Sequence, residues 1–256
     1  MLFHTFVHLP YIGKAIERRL WSSGIIDWND LSEYLRRWPP SPARRKQMCR
    51  ALDLSRENSE NISYFDRFLP AREKWRLYPG FRDSCAFLDI ETTGSLSWGN
   101  EITVIGLYDG ESCKQFVNGH NLDAFEEEIY KFKLLVTFNG TTFDLPFLKF
   151  HFRHLDLDCG HIDLRYVMAA LGYKGGLKAI ERKLGLERPS EVRGFSGWEA
   201  VWLWEGYRRA GDREAFELLL EYNRQDIVNL KSLLEFACEK NVEEGISNYS
   251  HYKLPW

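Results

Sequence analysis

The chain has 256 residues, of which 44% are hydrophobic and 15% aromatic, enough to bury the core of one large domain and a small one. Its apolar stretches are far shorter than the ~20 residues of a membrane-spanning helix, and its first residues lack the order of a signal peptide, so we expect a cytoplasmic protein. The five cysteines are scattered and contain no Cys-x-x-Cys pair, which argues against a disulfide framework or a zinc ribbon.

Charge is distributed unevenly along the chain, although the formal net charge is only -3. Residues 1–80 contain 14 Lys and Arg against 9 Asp and Glu, whereas residues 81–256 contain 20 against 28. This split suggests that the first part meets a polyanion and that the second holds cations. Ordinary variation between two solvated surfaces is the alternative.

The first 75 residues are predicted to form a small helical domain. A proline-rich break, "WPPSPARRK" at 38–46, separates a short helical segment from a basic helix that should run from about Ala43 into the fifties. A polar, turn-rich stretch follows at 57–63. We place the boundary near residues 70–80, with a second domain at 80–240 and a C-terminal tail at 241–256.

The second domain begins with three predicted strands, at 84–90, 101–110 and 111–118, and Asp109-Gly110 is the turn signal between the last two. Three consecutive strands favour an antiparallel meander. A further strand is predicted at 133–140, and helices at 122–132, 144–155, 175–184, 197–210 and 212–240. The pattern predicts an α/β fold with a mixed sheet flanked by helices.

The first strand ends on two acids, Asp89 and Glu91, in "FLDIETTG". Residues two apart on a strand point to the same side of the sheet, so the two carboxylates should be neighbours. Neighbouring carboxylates repel each other and are costly to desolvate unless a cation lies between them. The alternative is a solvated strand end.

Two further acids interrupt apolar surroundings. Asp226 lies on the apolar stripe of the last long helix, one turn after Tyr222, and a salt bridge from another element would be the ordinary explanation. Asp144, in "FNGTTFDLPFL", directly precedes a helix and would serve equally as its N-cap. Together the four carboxylates form a set of hard oxygen ligands suited to Mg²⁺ or Mn²⁺. Two such ions are used in phosphodiester hydrolysis.

The segments "DIETTG", "FNGTTFDLPFL" and "YNRQD" resemble, in order and spacing, the three motifs of the DEDD superfamily of 3′–5′ exonucleases. This resemblance implies a ribonuclease H-like fold, two Mg²⁺ or Mn²⁺ ions, and Asp89, Glu91, Asp144 and Asp226 as metal ligands. Tyr222 lies four residues before the last Asp, and Glu221 occupies the place of the histidine of the other subclass, so the sequence resembles the tyrosine subclass. In that subclass the tyrosine orients the attacking water.

The second motif is similar to that of the proofreading domains of family B DNA polymerases, and the whole chain resembles the bacterial YprB-like ribonuclease H-like proteins. By the same resemblance, Thr92, Asn139 and Phe143 are candidates to contact the terminal nucleotide, although packing explains Phe143 equally well. Asp163, in "HIDL", is a further acid that we leave outside the quartet.

The N-terminal segment "HLPYIGKAIERRLWSSGIIDWNDL" is similar to a helix–hairpin–helix element, which binds DNA phosphates through backbone N–H groups. It departs from that pattern because Tyr11 replaces the first glycine of the hairpin. Lys14 and Arg18 are the candidate DNA contacts. A helical packing module with a solvated basic face is the alternative.

The sequence thus predicts a metal-dependent 3′–5′ exonuclease acting on nucleic acid, with single-stranded DNA favoured over RNA. The alternatives are an exoribonuclease and a catalytically silent nucleic-acid-binding module on the same fold. A helix at 197–210, "GWEAVWLWEGYRRA", contains three tryptophans. Tryptophans at helical spacing are predicted to be core residues, although such side chains also stack on bases of single strands.

Overall fold

The computed structural model describes residues 1–37, 40–95, 97 and 99–255. Its centre is a mixed sheet of five strands in the order β3-β2-β1-β4-β5. The strands are β1 Cys85–Thr92, β2 Ile102–Tyr108, β3 Cys113–Val117, β4 Leu134–Thr137 and β5 Gly160–Asp163. The first three form the predicted antiparallel meander, and β4 and β5 run parallel to β1, which confirms the α/β prediction.

Helices precede the sheet and cover both of its faces. Those before the sheet are α1 Lys14–Ser22, α2 Trp28–Arg37, α3 Pro42–Glu57, α4 Ile62–Phe68 and α5 Tyr78–Phe81. Those within and after it are α6 Phe125–Ile129, α7 Asp144–His151, α8 Leu164–Ala170, α9 Leu177–Leu184, α10 Gly197–Ala210 and α11 Arg213–Glu243. Among the described residues, no helix has both the length and the apolarity needed to cross a membrane.

From residue 84 to the end of α11 the predicted elements are present, with two additions. Before residue 84, the helices α4 and α5 were not predicted. Neither β5 nor α8 was predicted, because β5 has only four residues and its polar His161 and Asp163 break any apolar run. The basic helix predicted from Ala43 is α3, which begins at Pro42. Trp38 and Pro39, in the predicted proline-rich break, lie outside the described residues.

Alternation along β1 gives the sheet two different faces. Ala86, Leu88 and Ile90 join a buried cluster with residues of α6 and α7. Phe87 points to the other face, into a core shared with α8, α11 and the N-terminal helices. Asp89 and Glu91 follow Phe87 at intervals of two, so they lie on the α11 face, as the strand period requires.

The N-terminal segment is fastened to the rest of the chain by a buried charge network. Arg76 is only 1% exposed, and its guanidinium donates to the carboxylates of Glu17 and Glu73, each at 2.8 Å. Glu17 also accepts the backbone N–H groups of Phe6 and Val7. The network therefore ties α1 and the first residues to a 3₁₀ helix at Ala71–Leu77, which precedes the sheet. The division into domains at residues 75–80 stays a prediction.

Replacing Arg76 with methionine should strongly destabilise the fold, because buried Glu17 loses its cation and buried Glu73 retains only Lys14. We expect the free energy of unfolding, measured by urea denaturation, to fall by about 3–5 kcal/mol. Arg72→Met, at an exposed position of the same 3₁₀ helix, is the matched control and should change it by less than about 0.5 kcal/mol. Equal effects of the two substitutions would contradict this account.

Candidate active site

Three of the four predicted acids come together at the end of β1. One carboxylate oxygen each from Asp89, Glu91 and Asp226 lies within 4.8 Å of the others. Glu91 and Asp226 are buried, whereas Asp89 retains some exposure. The strand period of two directs Asp89 and Glu91 to one face, and the helical period of about 3.6 directs Asp226 toward that face from α11.

Asp144 joins the same neighbourhood through the backbone. It is the first residue of α7, and its Oδ1 accepts the N–H of Ile90, between Asp89 and Glu91, at 3.1 Å. The expected alternative role as N-cap is wrong, because Phe143 holds the N-cap position and the Asp144 carboxylate bonds to another element. Asp144 therefore fixes α7 against β1.

Burial and mutual repulsion disfavour the charged forms of these acids. Burial is the largest cause that raises the pKa of Asp89 and of Glu91, and the charge of Asp226 raises both further. Burial also raises the pKa of Asp226. The cluster therefore needs positive charge before all its members can ionise at neutral pH.

Part of that charge comes from Arg188, in the segment between α9 and α10. Its guanidinium forms a bidentate pair with Glu181 at 2.7 and 2.8 Å, and it also contacts the Asp226 carboxylate in a short hydrogen bond. Asn229 donates to Glu181 at 3.0 Å. The salt-bridge alternative for Asp226 is therefore realised, but Asp226 shares its Arg188 partner with Glu181.

Lys178 supplies a second cation and meets the predicted tyrosine. Its Nζ donates to the Tyr222 hydroxyl, and its charge interacts with those of Asp226, Glu91 and Asp89. Burial raises the pKa of Tyr222, and the nearby carboxylates raise it further, so the phenol stays neutral. Sequence reasoning missed Lys178 and Arg188, because neither lies in a motif and their partners come from distant elements.

A close approach of α11 to β2 orients Asp89. The amide of Asn223 donates to the backbone oxygen of Asp89 at 3.3 Å and to its carboxylate at 3.4 Å. Asn223 lies so close to Gly106 that a Cβ at that position would collide with its Oδ1. A glycine inside a strand often marks such an approach, so Gly106 was a sequence signal that pointed to this contact.

The other predicted contact residues are spread over three places. Thr92 and Phe143 line a cavity of about 490 Å³ together with Asp89, Glu91, Tyr222 and Asp226. Asn139 lines a different cavity with Arg165 and Lys174. Lys14 pairs with Glu73 at 3.2 Å, and Arg18 is exposed on α1. Of the predicted nucleotide contacts, then, Thr92 and Phe143 share the cavity of the acids.

Asp163 organises the loop that carries the second motif. Its carboxylate accepts the backbone N–H groups of Asn139, Thr141 and Arg165 at 2.8–3.1 Å. Asn139 lies there in the left-handed region, with φ of 69°. Asp163 thus has a structural task, which agrees with leaving it outside the quartet.

The tryptophans of α10 divide between the core and the surface. Trp204 is buried beside Tyr222 in one hydrophobic cluster, as predicted. The prediction is wrong for Trp198 and Trp202, which are 70% and 68% exposed. Only one of the three points toward the neighbouring helix α11, because residues 198 and 202 share a helix face and residue 204 lies on another.

Asp144→Asn should change how stability depends on pH in EDTA. Burial raises the pKa of Asp144 from 3.8 to about 7, so the folded protein holds a proton that the unfolded chain has lost in this range. Asp144 therefore contributes stability below pH 3.8 that is lost as the pH rises through 7. The replacing asparagine cannot titrate, and its amide oxygen still accepts the Ile90 N–H.

We expect the free energy of unfolding of the wild type, minus that of Asp144→Asn, to fall by more than about 1 kcal/mol between pH 4 and pH 8 in urea denaturation. The exposed Asp123→Asn is the control and should give a flat difference. A flat difference for Asp144→Asn as well would show that this carboxyl titrates normally.

Comparison with known proteins places this geometry in a family. A family model of the RNase H superfamily matches residues 86–238, a segment that contains all four acids. No curated protein matches the chain. Among solved structures, the family B DNA polymerase from the hyperthermophilic archaeon Pyrobaculum calidifontis is similar, with 15% identity and a TM-score of 0.49 over 64% of this chain. This chain covers 26% of that polymerase chain.

The family match spans more than half of the chain and begins inside β1, where the acids lie. The mixed sheet of five strands in this chain, with helices on both faces, is a ribonuclease H-like α/β fold. The chain belongs to the RNase H superfamily.

Proposed function

We propose that the protein is a metal-dependent 3′–5′ exonuclease that hydrolyses terminal phosphodiester bonds of nucleic acid, with single-stranded DNA as the favoured substrate. Membership of the RNase H superfamily suggests a nucleic-acid-cleaving enzyme. The observation that carries the finer proposal is the convergence of Asp89, Glu91 and Asp226 on one cavity, with Asp144 bonded between the first two.

The donor set fits divalent cations. Carboxylate oxygens are the ligands that Mg²⁺ and Mn²⁺ prefer. Burial first, and then the charge of Asp226, raises the pKa of Asp89 and of Glu91, so a bound cation would favour their ionised forms. We propose that Asp89, Glu91, Asp144 and Asp226 hold two such ions. When bound, these ions would supply Lewis-acid chemistry, activating a water and stabilising the leaving oxygen.

Tyr222 has the position and the protonation state to orient the attacking water. Its hydroxyl is neutral, so it both donates and accepts hydrogen bonds, and Lys178 fixes its direction. Glu221, in the place of the histidine of the other subclass, pairs instead with Arg224 at 2.8 Å and with Gln225 at 2.7 Å. These contacts support the tyrosine subclass. The relation to YprB-like proteins stays a prediction.

Arg188 and Lys178 would attract the substrate's phosphate. Both cations already face the acids, and Arg188 makes two bonds to Glu181 in addition to its contact with Asp226. A charged group held in a water-poor site stabilises developing negative charge without further reorganisation. The phosphate of the substrate would thus be attracted by two cations, Arg188 and Lys178, that the fold already holds in place.

A catalytically silent binding module is the main rival. The complete set of acids, together with Tyr222, argues against it, because a protein that only binds nucleic acid gains nothing from repelling a phosphate with buried carboxylates. An exoribonuclease is the other rival, and the same assay with RNA distinguishes it.

Asp226→Ala should abolish hydrolysis. We expect shortening of 3′-labelled and 5′-labelled DNA in Mn²⁺ or Mg²⁺ to fall by about 10³-fold or more, because several kcal/mol of charge stabilisation are lost and each 1.36 kcal/mol is a factor of about ten. The fold should survive because Arg188 keeps Glu181 as partner. The wild type should be inactive in EDTA.

Glu239→Ala, at an exposed position of the same helix, is the matched control and should cleave normally. The products of the wild type should shorten from the 3′ end, and parallel assays on duplex DNA and RNA rank the substrates. Near-normal turnover by Asp226→Ala would refute the proposed site.

Tyr222→Phe should slow cleavage while leaving the acids in place. Because the water loses its orienting hydroxyl, we expect kcat to fall by about 10²-fold with KM nearly unchanged. The temperature of unfolding should stay close to that of the wild type, since the ring is kept. Full activity of Tyr222→Phe would remove Tyr222 from the mechanism.

A further inference from the structure

Two tryptophans on α10 expose more of their surface than an aromatic side chain ordinarily does. Trp198 is 70% exposed and Trp202 is 68% exposed. They are four residues apart on one helix, so their side chains are neighbours on the same face. Adjacent exposed indoles form an apolar patch of the kind that marks an interaction site.

This patch is continuous with the proposed catalytic cavity. Trp198 and Val201 line the cavity of about 490 Å³ that also contains Asp89, Glu91 and Phe143. The patch therefore begins at the wall of the cavity and extends outward along α10 to Trp202. A strand whose end lies at the acids would pass over these side chains.

The helix that carries the patch is held rigidly. Ser196 and Glu199 form a capping box at its start, and Trp204 and Ala200 are buried against neighbouring elements. α10 packs along α11, which carries Tyr222 and Asp226. The backbone that carries Trp198 and Trp202 is thus held by the same packing that holds α11.

We propose that Trp198 and Trp202 form a stacking platform for the unpaired bases of a single-stranded nucleic acid whose 3′ end occupies the cavity. This inference rests on the proposed exonuclease function and names the surface that would bind its single-stranded substrate. Every base has a π-face that stacks on an indole, whereas the bases of an intact duplex cover each other's faces. Phe143, in the same cavity, is positioned to contact the terminal base.

Single-stranded nucleic acid is favoured over a protein partner because the patch shares its cavity with Asp89, Glu91 and Asp226. The cations that pair with Tyr222 and Asp226, Lys178 and Arg188, line a different cavity. A protein surface would have to leave that polar cavity unfilled or bury its charges. A phosphodiester strand places bases on the indoles and a phosphate at the charged end. The patch and the acids then serve one ligand.

The test measures the Kd of a fluorescein-labelled 12-nucleotide single strand of DNA by fluorescence anisotropy. Binding is measured in Ca²⁺ and cleavage is measured separately in Mn²⁺. Trp198→Ala should raise Kd by about tenfold, within the roughly 5- to 150-fold that loss of one base–aromatic stack produces. Trp198→Phe should recover most of the affinity, and Trp202→Ala should have a smaller effect. Phe150→Ala, an exposed aromatic on α7, is the control.

A second strand identifies the interaction as stacking. Three versions of this strand are made, each with a single abasic residue at one of the last three positions. With the abasic residue at one of these positions, the Kd of the wild type should rise about as much as Trp198→Ala raises it for the intact strand. The Kd of Trp198→Ala should be the same for that abasic strand as for the intact one. An unchanged Kd for Trp198→Ala, or an undiminished abasic penalty in that variant, would overturn the platform.

The outcomes separate this inference from the proposed function. Metal-dependent cleavage with no effect of Trp198→Ala on Kd or KM would leave the exonuclease intact and remove the platform. Absence of cleavage, with the expected losses of affinity, would reject the exonuclease and keep the platform. No binding of the single strand by the wild type would overturn the platform, as would sedimentation showing a dimer that Trp198→Ala dissociates.

Discussion

Buried negative charge is the constraint on which the rest of this structure depends. Asp89, Glu91 and Asp226 lie in a region where desolvation and repulsion both oppose ionisation. The fold brings Arg188 and Lys178 to them from the part of the chain before α10. These two cations compensate the cluster only in part, and a site with residual negative charge is one that binds added cations.

The same constraint on buried charge holds the N-terminal helices in place. Arg76 and Lys14 balance Glu17 and Glu73 there, so the charges of this network are satisfied by the protein itself. The acidic cluster at the end of β1 differs because Asp89, Glu91, Asp226 and Glu181 have only Arg188 and Lys178 as cations beside them. One buried cluster is therefore structural and complete, and the other is incomplete in a way that suits a ligand.

Much of this could be predicted from local patterns. Strand alternation placed Asp89 and Glu91 on one face, and the helical period placed Asp226 and Tyr222 toward the core. What local patterns could not predict depends on contacts between distant elements: the cation Arg188, in an irregular segment, and the hydrogen bond from the Ile90 N–H to the Asp144 carboxylate. The exposure of Trp198 also depends on where a whole helix lies, because spacing alone does not say which helix face meets the core.

Metal binding by the acids is the central claim, and anomalous diffraction from crystals grown in Mn²⁺ tests it most directly. The account predicts manganese peaks at the carboxylates of Asp89, Glu91 and Asp226, with Arg188 released from Asp226 and still paired with Glu181. Crystals with no manganese peak at these carboxylates, and with the bond from Arg188 to Asp226 intact at high Mn²⁺, would contradict it.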